Sequence, residues 1–299
     1  MVSEKVDVQL ALSSPKVRCE FVFKNEGPAT TVKMGFPEGY GGVDMDWRDK
    51  TAFGSFRSWV DGKAAKTKFV PGDPQGHGDY QAWHVKDVHF GAGQTRTVVN
   101  EYESGFGYDS MGGISFAYVL RTGASWKGKI GQARITVDVS GVPSHYSISL
   151  SPQGYHKEGD VVTWVLRDFE PNEDIGVYMM PKRLTLNGDI YIGMWSTYRI
   201  VDGAAIAKLR FLQEAGGSLE YDSKHRACTV NYGSRALKLT ADSRTAVLNG
   251  SEKTTLPLAP TLKAGRLIVP IAAVVRALGG SATFDKENCQ VHLFLKPAK

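Results

Sequence analysis

The densest group of side chains that could do chemistry lies in one acidic loop. It contains Asp44, Asp46 and Asp49, with Tyr40 and Trp47 beside them. Neighbouring carboxylates suit a hard cation such as calcium, but this loop lacks the closing glutamate of the twelve-residue calcium loop. A solvated loop is the simpler interpretation. Because loops on rigid sheets often carry binding, we keep these five residues as a candidate ligand-binding loop and predict no metal site.

Three histidines, His77, His84 and His89, are zinc ligands by residue type. On a strand over residues 82–90, however, His84 and His89 point to opposite faces and cannot converge on one ion. We therefore expect these histidines on the surface or at strand edges.

The familiar catalytic patterns are absent from the sequence. It contains no H-E-x-x-H, G-x-S-x-G or Walker A motif. A carboxylate pair for glycoside cleavage must lie roughly 5–10 Å apart, and only the carboxylates of residues 38–54 with Glu101 or Glu103 could supply one. We therefore predict a protein that is not an enzyme and holds no cofactor.

The three cysteines are too few for a disulfide scaffold. Cys19 lies on the same predicted strand face as Val17 and Phe21, which points it inward. Cys228 and Cys289 occupy equivalent places in two similar segments. Buried free thiols are the expectation, and a bridge between Cys228 and Cys289 stays open.

Residues 1–181 show the period-two alternation of half-buried strands, with no long helical stripe. The clearest runs are Val6, Val8 and Leu10; Val17, Cys19, Phe21 and Phe23; Ile135, Val137 and Val139. Asp61-Gly62 predicts a two-residue hairpin turn. Many short strands between Gly and Pro predict an all-β sandwich over residues 1–181.

Residues 182–299 contain two similar segments about 62 residues apart. Each shows a strand, an Asn-Gly turn, a strand, a helix, a Gly-Gly stop and two strands. In the second segment Ile271, Val274, Val275 and Leu278 form an apolar helical stripe. Neither segment could bury its stripe alone. The sequence therefore predicts an α+β module of two pseudo-symmetric strand-helix-strand repeats.

Composition and charge narrow the function class. Apolar residues make up 42% and charged residues 22%, which is typical of globular proteins. No apolar run reaches the length of about 18 residues that a membrane-spanning helix needs. The net charge is −3 over residues 1–181 and +8 over residues 182–299. The positive half favours anionic surfaces, although a solvated Lys/Arg-rich surface is the simpler interpretation.

The C-terminal module resembles the copper amine oxidase N-terminal-like domain, also called the stalk module. The resemblance rests on Asn249-Gly250, on Gly265-Arg266 followed by Val269-Pro270, and on Ala277-Leu278-Gly279-Gly280 with Asp285. In the first segment Ala207-Lys208 replaces Val-Pro. The resemblance implies no oxidase activity and a surface or secreted location, mostly in Gram-positive bacteria.

The N-terminal half is similar to a family of secreted bacterial proteins of unknown function. The residues that carry this similarity are Phe116 to Gly123, Trp126, Gly128, Ile130 and Gly131, with Glu170-Pro171 and Ile175-Gly176-Val177. The similarity implies an extracytoplasmic β domain and no known chemistry.

The residues do not support a copper oxidase. Asn231-Tyr232 is followed by Gly233, whereas the cofactor precursor in such enzymes resembles Asn-Tyr-Asp/Glu. The sequence also lacks the His-x-His pair that a copper cluster would use. We expect Tyr232 to be a core strand residue that shares one face with Cys228 and Val230.

These features predict a non-catalytic extracytoplasmic or cell-surface structural or interaction protein, whose stalk module serves attachment or assembly. The opening residues lack a secretion signal, so we expect a leader that this chain does not carry and an extracellular or wall-associated location. Expected partners are anionic cell-wall polymer or other envelope proteins. Self-assembly through sheet edges is a further expectation, and nucleic acid is not expected.

The alternative is a carbohydrate- or peptide-binding module that uses loops at one end of the β domain. Those loops are residues 38–54, 71–80 and 103–113. Four aromatic residues lie in or beside them, namely Tyr40, Trp47, Tyr80 and Tyr108. Under both hypotheses, we expect the inward side chains to serve packing rather than chemistry.

Overall fold

The computed structural model describes residues 1–38, 53–72, 80, 82–110, 112–190 and 197–296. Over these residues the chain is mostly β-strand, as the sequence predicts. It divides into two compact units. The N-terminal unit comprises Met1–Pro143 with Ile148–Met180, and the C-terminal unit comprises Ser144–Ser147 with Pro181–Lys299.

Short strands build the N-terminal part of the chain. They are β1 (Ser3–Ala11), β2 (Lys16–Lys24), β3 (Thr30–Glu38), β4 (Ser55–Val60), β5 (Lys63–Ala64), β6 (Lys68–Pro71), β7 (Ala82–Phe90), β8 (Thr95–Glu103), β9 (Gly107–Tyr108), β10 (Ile114–Tyr118), β11 (Ile130–Gly141), β12 (Tyr146–Ser151), β13 (His156–Glu158), β14 (Val161–Phe169) and β15 (Ile175–Pro181). A 3₁₀-helix over Arg121–Ser125 follows β10.

The strands form three sheets. The largest has eight strands in the order β13-β14-β11-β1-β2-β8-β4-β5. Its central strand β1 runs parallel to β11 and antiparallel to β2. A three-stranded sheet has the order β3-β7-β6, and a four-stranded sheet has the order β12-β15-β10-β9.

The two smaller sheets face the inner side of the eight-stranded sheet. Phe23 on β2 and Val98 on β8 share a hydrophobic cluster with Met34 on β3 and Val88 on β7. The four-stranded sheet reaches the same side, because Tyr118 on β10 contacts β1. Because side chains alternate along a strand, every second residue of these strands points into the space between the sheets.

The hairpin turn that the sequence predicts at Asp61-Gly62 is present. It joins β4 to β5, and both residues have positive φ angles, 48° and 76°. Positive φ at both central positions is what a type I′ turn needs to match the strand twist.

The C-terminal unit is also mostly strand. Its strands are β16 (Thr185–Leu186), β17 (Asp189–Ile190), β18 (Tyr198–Val201), β19 (Ala204–Lys208), β20 (Ser218–Asp222), β21 (Ala227–Tyr232), β22 (Arg235–Thr240), β23 (Thr245–Leu248), β24 (Glu252–Thr255), β25 (Thr261–Lys263), β26 (Arg266–Pro270), β27 (Ser281–Asp285) and β28 (Gln290–Phe294). Its helices are α1 (Phe211–Glu214) and α2 (Ile271–Ala277).

The stripe predicted for the second segment forms α2. Ile271, Val274 and Val275 are fully buried, and Leu278 is nearly so. In the first segment residues 204–208 form β19, which pairs with β18 and β26. A single helical turn, α1, follows it.

The predicted burial of Tyr232 and its neighbours, and of the cysteines, can be checked residue by residue. Cys228, Val230 and Tyr232 are buried on one face of β21, as expected for core strand residues. All three cysteines of the chain are free and buried. The alternative of a Cys228–Cys289 bridge is therefore wrong.

Two leucines of the C-terminal unit offer a matched test of its core. Leu237 on β22 is fully buried, whereas Leu262 on β25 is 44% exposed. We expect Leu237→Ala to lower the free energy of unfolding of this unit by about 2–5 kcal/mol, because it removes packed methyl groups and leaves a cavity.

Leu262→Ala should change the same free energy by less than about 0.5 kcal/mol. Hydrogen exchange of peptides from residues 181–296, measured by mass spectrometry, reads out this unit separately. Equal effects of the two substitutions would contradict the core described above.

Candidate functional site

A cavity of about 330 Å³ lies within the N-terminal unit, between its sheets. Ligand sites commonly have volumes from about 300 to 1,000 Å³ and combine apolar walls with a few convergent polar groups. The apolar wall here includes Phe21, Phe23, Met34, Phe36, Val98 and Trp126. The polar groups on the wall include Glu4, Lys86, Asn100 and Tyr118.

Lys86 enters the cavity from β7 and is held by two neutral groups of the opposite sheet. Its Nζ donates to Ser58 Oγ at 2.6 Å and to Asn100 Oδ1 at 3.2 Å. Ser58 Oγ in turn donates to Asn100 Oδ1 at 2.8 Å. Ser58 and Asn100 lie directly opposite each other on β4 and β8, so strand register fixes this three-residue cluster.

The Lys86 ammonium is buried without a counter-charge. Among the residues that the structure describes, no carboxylate lies within ion-pairing distance of its Nζ. Burial disfavours the charged form, and it lowers the pKa of Lys86 from 10.5 to about 8.

Glu4 is the other ionisable group on the cavity wall. It occupies an inward position on β1, is nearly fully buried, and accepts a hydrogen bond of 2.6 Å from the hydroxyl of Tyr118. Burial raises the pKa of Glu4 to about 7, and the hydrogen bond from Tyr118 opposes that rise. The carboxyl group therefore changes its charge near neutral pH.

A second buried polar pair adjoins the cavity on the same face of β7. His84 Nε2 lies 2.6 Å from Glu38 Oε1, and both residues are buried. Phe56 stacks on the His84 ring with centroids 4.0 Å apart. His84 and His89 do lie on one strand with opposite orientation, but the expectation of a surface or strand-edge position is wrong for His84.

Exposed lysines line the cavity and an adjacent hollow. Lys33 lines the cavity itself. An adjacent hollow of about 490 Å³ shares the wall residues Phe23 and Trp126 and adds three further lysines, Lys24, Lys127 and Lys129. Glu26 is the acidic residue on that second wall.

The structure does not test the binding loop predicted from the sequence. Tyr40, Asp44, Asp46, Trp47 and Asp49 fall outside the residues that the structure describes, so the candidate loop stays a prediction. His77 also falls outside them.

The carboxylate proposed for acid–base work has structural partners instead. Glu101 pairs with Arg18 at 3.4 Å and with Arg57 at 3.1 Å, and it lies on the face of β8 opposite to Asn100. Of the loop aromatic residues, Tyr108 is 60% exposed, whereas Tyr80 packs edge-on against Trp83.

Sequence reasoning missed Lys86, Glu4 and Asn100, although strand parity could have found them. Ala82, Val88 and Phe90 set the inward face of β7, and Lys86 has the same parity. Glu4 likewise shares the parity of Val6 on β1. The expectation that inward side chains serve packing alone does not hold at these positions.

Metal-binding side-chain groups and membrane-spanning helices can be assessed only in the described part of the chain. There, no group of three or more His, Cys, Asp or Glu side chains has a metal-binding arrangement. Within the same ranges, no helix is long and apolar enough to cross a membrane.

Family comparisons match both parts of the chain. Residues 188–293 match the copper amine oxidase N-terminal domain, which confirms the resemblance stated for the stalk module. Residues 109–178 match a domain of unknown function, DUF4424, in the N-terminal half. Comparison with curated proteins finds no match.

Comparison with solved structures supports the fold. A Legionella pneumophila protein with a provisional assignment as a nutrient binding protein superposes with a TM-score of 0.51 and 24% identity. The alignment covers 60% of this chain and 66% of that one, just under two thirds of its length. At this identity the likeness shows the fold alone.

Peptidases also resemble parts of the chain, but more weakly. An aminopeptidase N family protein from Idiomarina loihiensis has a TM-score of 0.33 and 9% identity, with 68% of this chain and 31% of that chain covered. An M1 zinc metallopeptidase from Deinococcus radiodurans has a TM-score of 0.28 and 9% identity, with 69% and 45% covered. Scores this low carry no conclusion about activity.

The buried charge of Lys86 makes a prediction about stability. Because its pKa is lowered to about 8 in the folded protein, the ammonium destabilises the folded state below pH 8. The effect disappears above pH 10.5, where the amine is neutral in both states. Lys86→Met should therefore raise the free energy of unfolding at pH 7 by about 1–3 kcal/mol.

That gain should shrink as the pH rises from 8 to 10.5, as measured by urea unfolding at each pH. Lys33→Met on the adjacent strand β3 is the control, because Lys33 is exposed. A pH-independent loss of stability in Lys86→Met would show that the ammonium is not buried at a cost.

Proposed function

Because residues 188–293 match the copper amine oxidase N-terminal domain and residues 109–178 match DUF4424, we propose a non-catalytic binding protein of two domains. Residues 1–181 bind a small amphiphilic organic molecule in the cavity between the sheets. Residues 182–299 form a stalk module of two pseudo-symmetric strand-helix-strand repeats that serves attachment or assembly. The protein works outside the cell or at the cell wall.

The observation that carries the binding role is the polar floor of an otherwise apolar cavity. Burying an unpaired charge costs far more stability than burying an apolar side chain. A domain that served only as a scaffold would gain stability from apolar residues at the positions of Lys86 and Glu4. Retaining Lys86 in an apolar hollow is the pattern expected where a ligand supplies the missing counter-charge.

The same features argue against a hydrolytic function. Ser58 is within hydrogen-bonding distance of Lys86, as a nucleophile would be of its base, but it is itself 5% exposed and is not part of the cavity wall. A nucleophile must reach the reacting atom. We therefore propose binding rather than catalysis for this cluster.

The binding role predicts that filling the cavity removes ligand binding. We expect a library of small aromatic and aliphatic amphiphiles to yield molecules that shift the indole NMR signals of Trp83 and Trp126, which both line the cavity. Val98→Phe should weaken their binding at least about tenfold, because its ring occupies the space of the ligand.

Val165→Phe is the matched control, since Val165 is 44% exposed on β14 of the same unit. Thr122→Trp is a second blocking variant at the half-buried rim, which avoids disturbing the core. Hits that bind both blocking variants, Val98→Phe and Thr122→Trp, as tightly as the wild type, or a library without hits, would contradict the proposal.

The stalk role predicts salt-sensitive attachment. Residues 182–299 carry a net charge of +8, so the full chain should bind purified anionic cell-wall polymer, and binding should fall strongly between about 50 and 500 mM salt. Cosedimentation measures this binding directly.

The double variant Lys238→Glu/Lys253→Glu should weaken attachment. Lys16→Glu/Lys157→Glu in the N-terminal half is the charge-matched control. Binding that does not change between about 50 and 500 mM salt would contradict electrostatic attachment.

A further inference from the structure

We infer that the ligand of the N-terminal cavity is a small organic anion, of the carboxylate class, whose head group pairs with the ammonium of Lys86. The inference rests on the proposed binding role of the cavity and adds the chemical class of its ligand. The apolar body of the ligand would then lie against the aromatic wall that includes Phe23 and Trp126.

Lys86 has hydrogen-bonding capacity that its protein partners do not fill. An ammonium group has three donors. Ser58 Oγ and Asn100 Oδ1 accept two of them, and both acceptors are neutral. Because Lys86 also lines the cavity, its third donor is available to a ligand there. A carboxylate would supply both an acceptor and the missing negative charge.

The charge on Lys86 lies in a buried environment. Coulomb attraction strengthens as the effective dielectric constant falls, and Lys86 is only 8% exposed. A charge-assisted hydrogen bond between an ammonium and a carboxylate is about twice as strong as one between neutral groups. An anion therefore gains more from this position than a neutral molecule of the same shape.

Strand register keeps Glu4 away from the anion. Glu4 on β1 lies opposite Phe21 on β2, and Phe21 lies opposite Val98 on β8. Asn100, which holds Lys86, is two residues beyond Val98. With strand spacings of about 4.8 Å and a rise of about 3.4 Å per residue, the Cα atoms of Glu4 and Asn100 are about 12 Å apart. The strand position that holds Lys86 and the position of Glu4 are thus separated across the sheet.

The exposed lysines of the cavity and of the adjacent hollow act in the same sense. Lys24, Lys33, Lys127 and Lys129 outnumber Glu4 and Glu26 on these two walls. An excess of positive charge raises the local concentration of anions.

The ionisable groups also set the pH dependence of binding. Besides Lys86, the titratable groups on the elements packed around it are His84 on β7, Glu38 on β3, Tyr102 on β8, Cys19 on β2, Glu4 on β1 and Tyr118 on β10. Glu4 loses its proton near pH 7 and Lys86 loses its own near pH 8. Both steps disfavour an anion, so affinity for a carboxylate should fall as the pH rises from 6 to 9.

The test compares three ligands that share one apolar body: 3-phenylpropionate, 3-phenylpropanol and 3-phenylpropylamine. Binding to the full chain is measured by calorimetry and by the Trp83 and Trp126 indole signals at pH 6.5. We expect the affinity for the carboxylate to be at least about tenfold higher than that for the alcohol, and the affinity for the amine to be the lowest.

Equal or tighter binding of the alcohol or the amine would overturn the anion inference while leaving the binding role intact. Failure of all three, and of the same series with n-butyl and n-hexyl bodies, would overturn the binding role together with the inference.

Variants separate the charge from the cavity. Lys86→Met should abolish the preference for the carboxylate and keep the affinity for the alcohol within about twofold. Lys157→Met, which removes an exposed lysine of β13 that lines neither hollow, should keep the preference. Glu4→Gln should remove the part of the pH dependence near pH 7. A carboxylate preference that survives in Lys86→Met, or a flat pH profile in the wild type, would refute the pairing.

Discussion

Desolvation of polar groups is the constraint on which the architecture of the N-terminal unit depends. Eight-, four- and three-stranded sheets surround a space where inward side chains lose most of their contact with water. Most inward positions meet that condition with Val, Ile, Phe or Leu. A few meet it with hydrogen-bonded polar clusters, and the cluster of Lys86, Ser58 and Asn100 is incomplete because all its members other than the lysine are neutral.

The sequence was informative about this unit wherever one residue type dominates a face. Alternation of Val6, Val8 and Leu10 predicted β1, and Asp61-Gly62 predicted a turn that the φ angles confirm. It was uninformative about the cavity, because a lysine or glutamate inside an alternating run is usually solvent-facing. Only the parity of β7 distinguishes Lys86 from a surface lysine. The contact of Lys86 with Ser58 and Asn100 depends on how the two sheets pack against each other, and a local sequence pattern does not encode that packing.

The C-terminal unit shows the complementary case. Its strongest local signal, the stripe from Ile271 to Leu278, gives α2 with that stripe buried. In the first segment Ile206 and Ala207 pair with Pro270 and Val269, respectively, across β19 and β26, and one helical turn, α1, follows β19. Local helix preference is small for each residue, so packing in the folded unit sets the length of such short helices.

The three buried cysteines have a consequence for watching the molecule move. Burial raises the pKa of the Cys19 thiol far above its usual range and that of Cys228 to about 11, so neither is a reactive thiolate while its unit is closed. Alkylation by a maleimide dye must then await transient opening of the surrounding strands. Cys19 lies in one unit and Cys228 in the other. The labelling rate of Cys19 therefore reports opening of the N-terminal unit, and that of Cys228 reports opening of the C-terminal unit. Comparing the two rates would show which unit opens more readily.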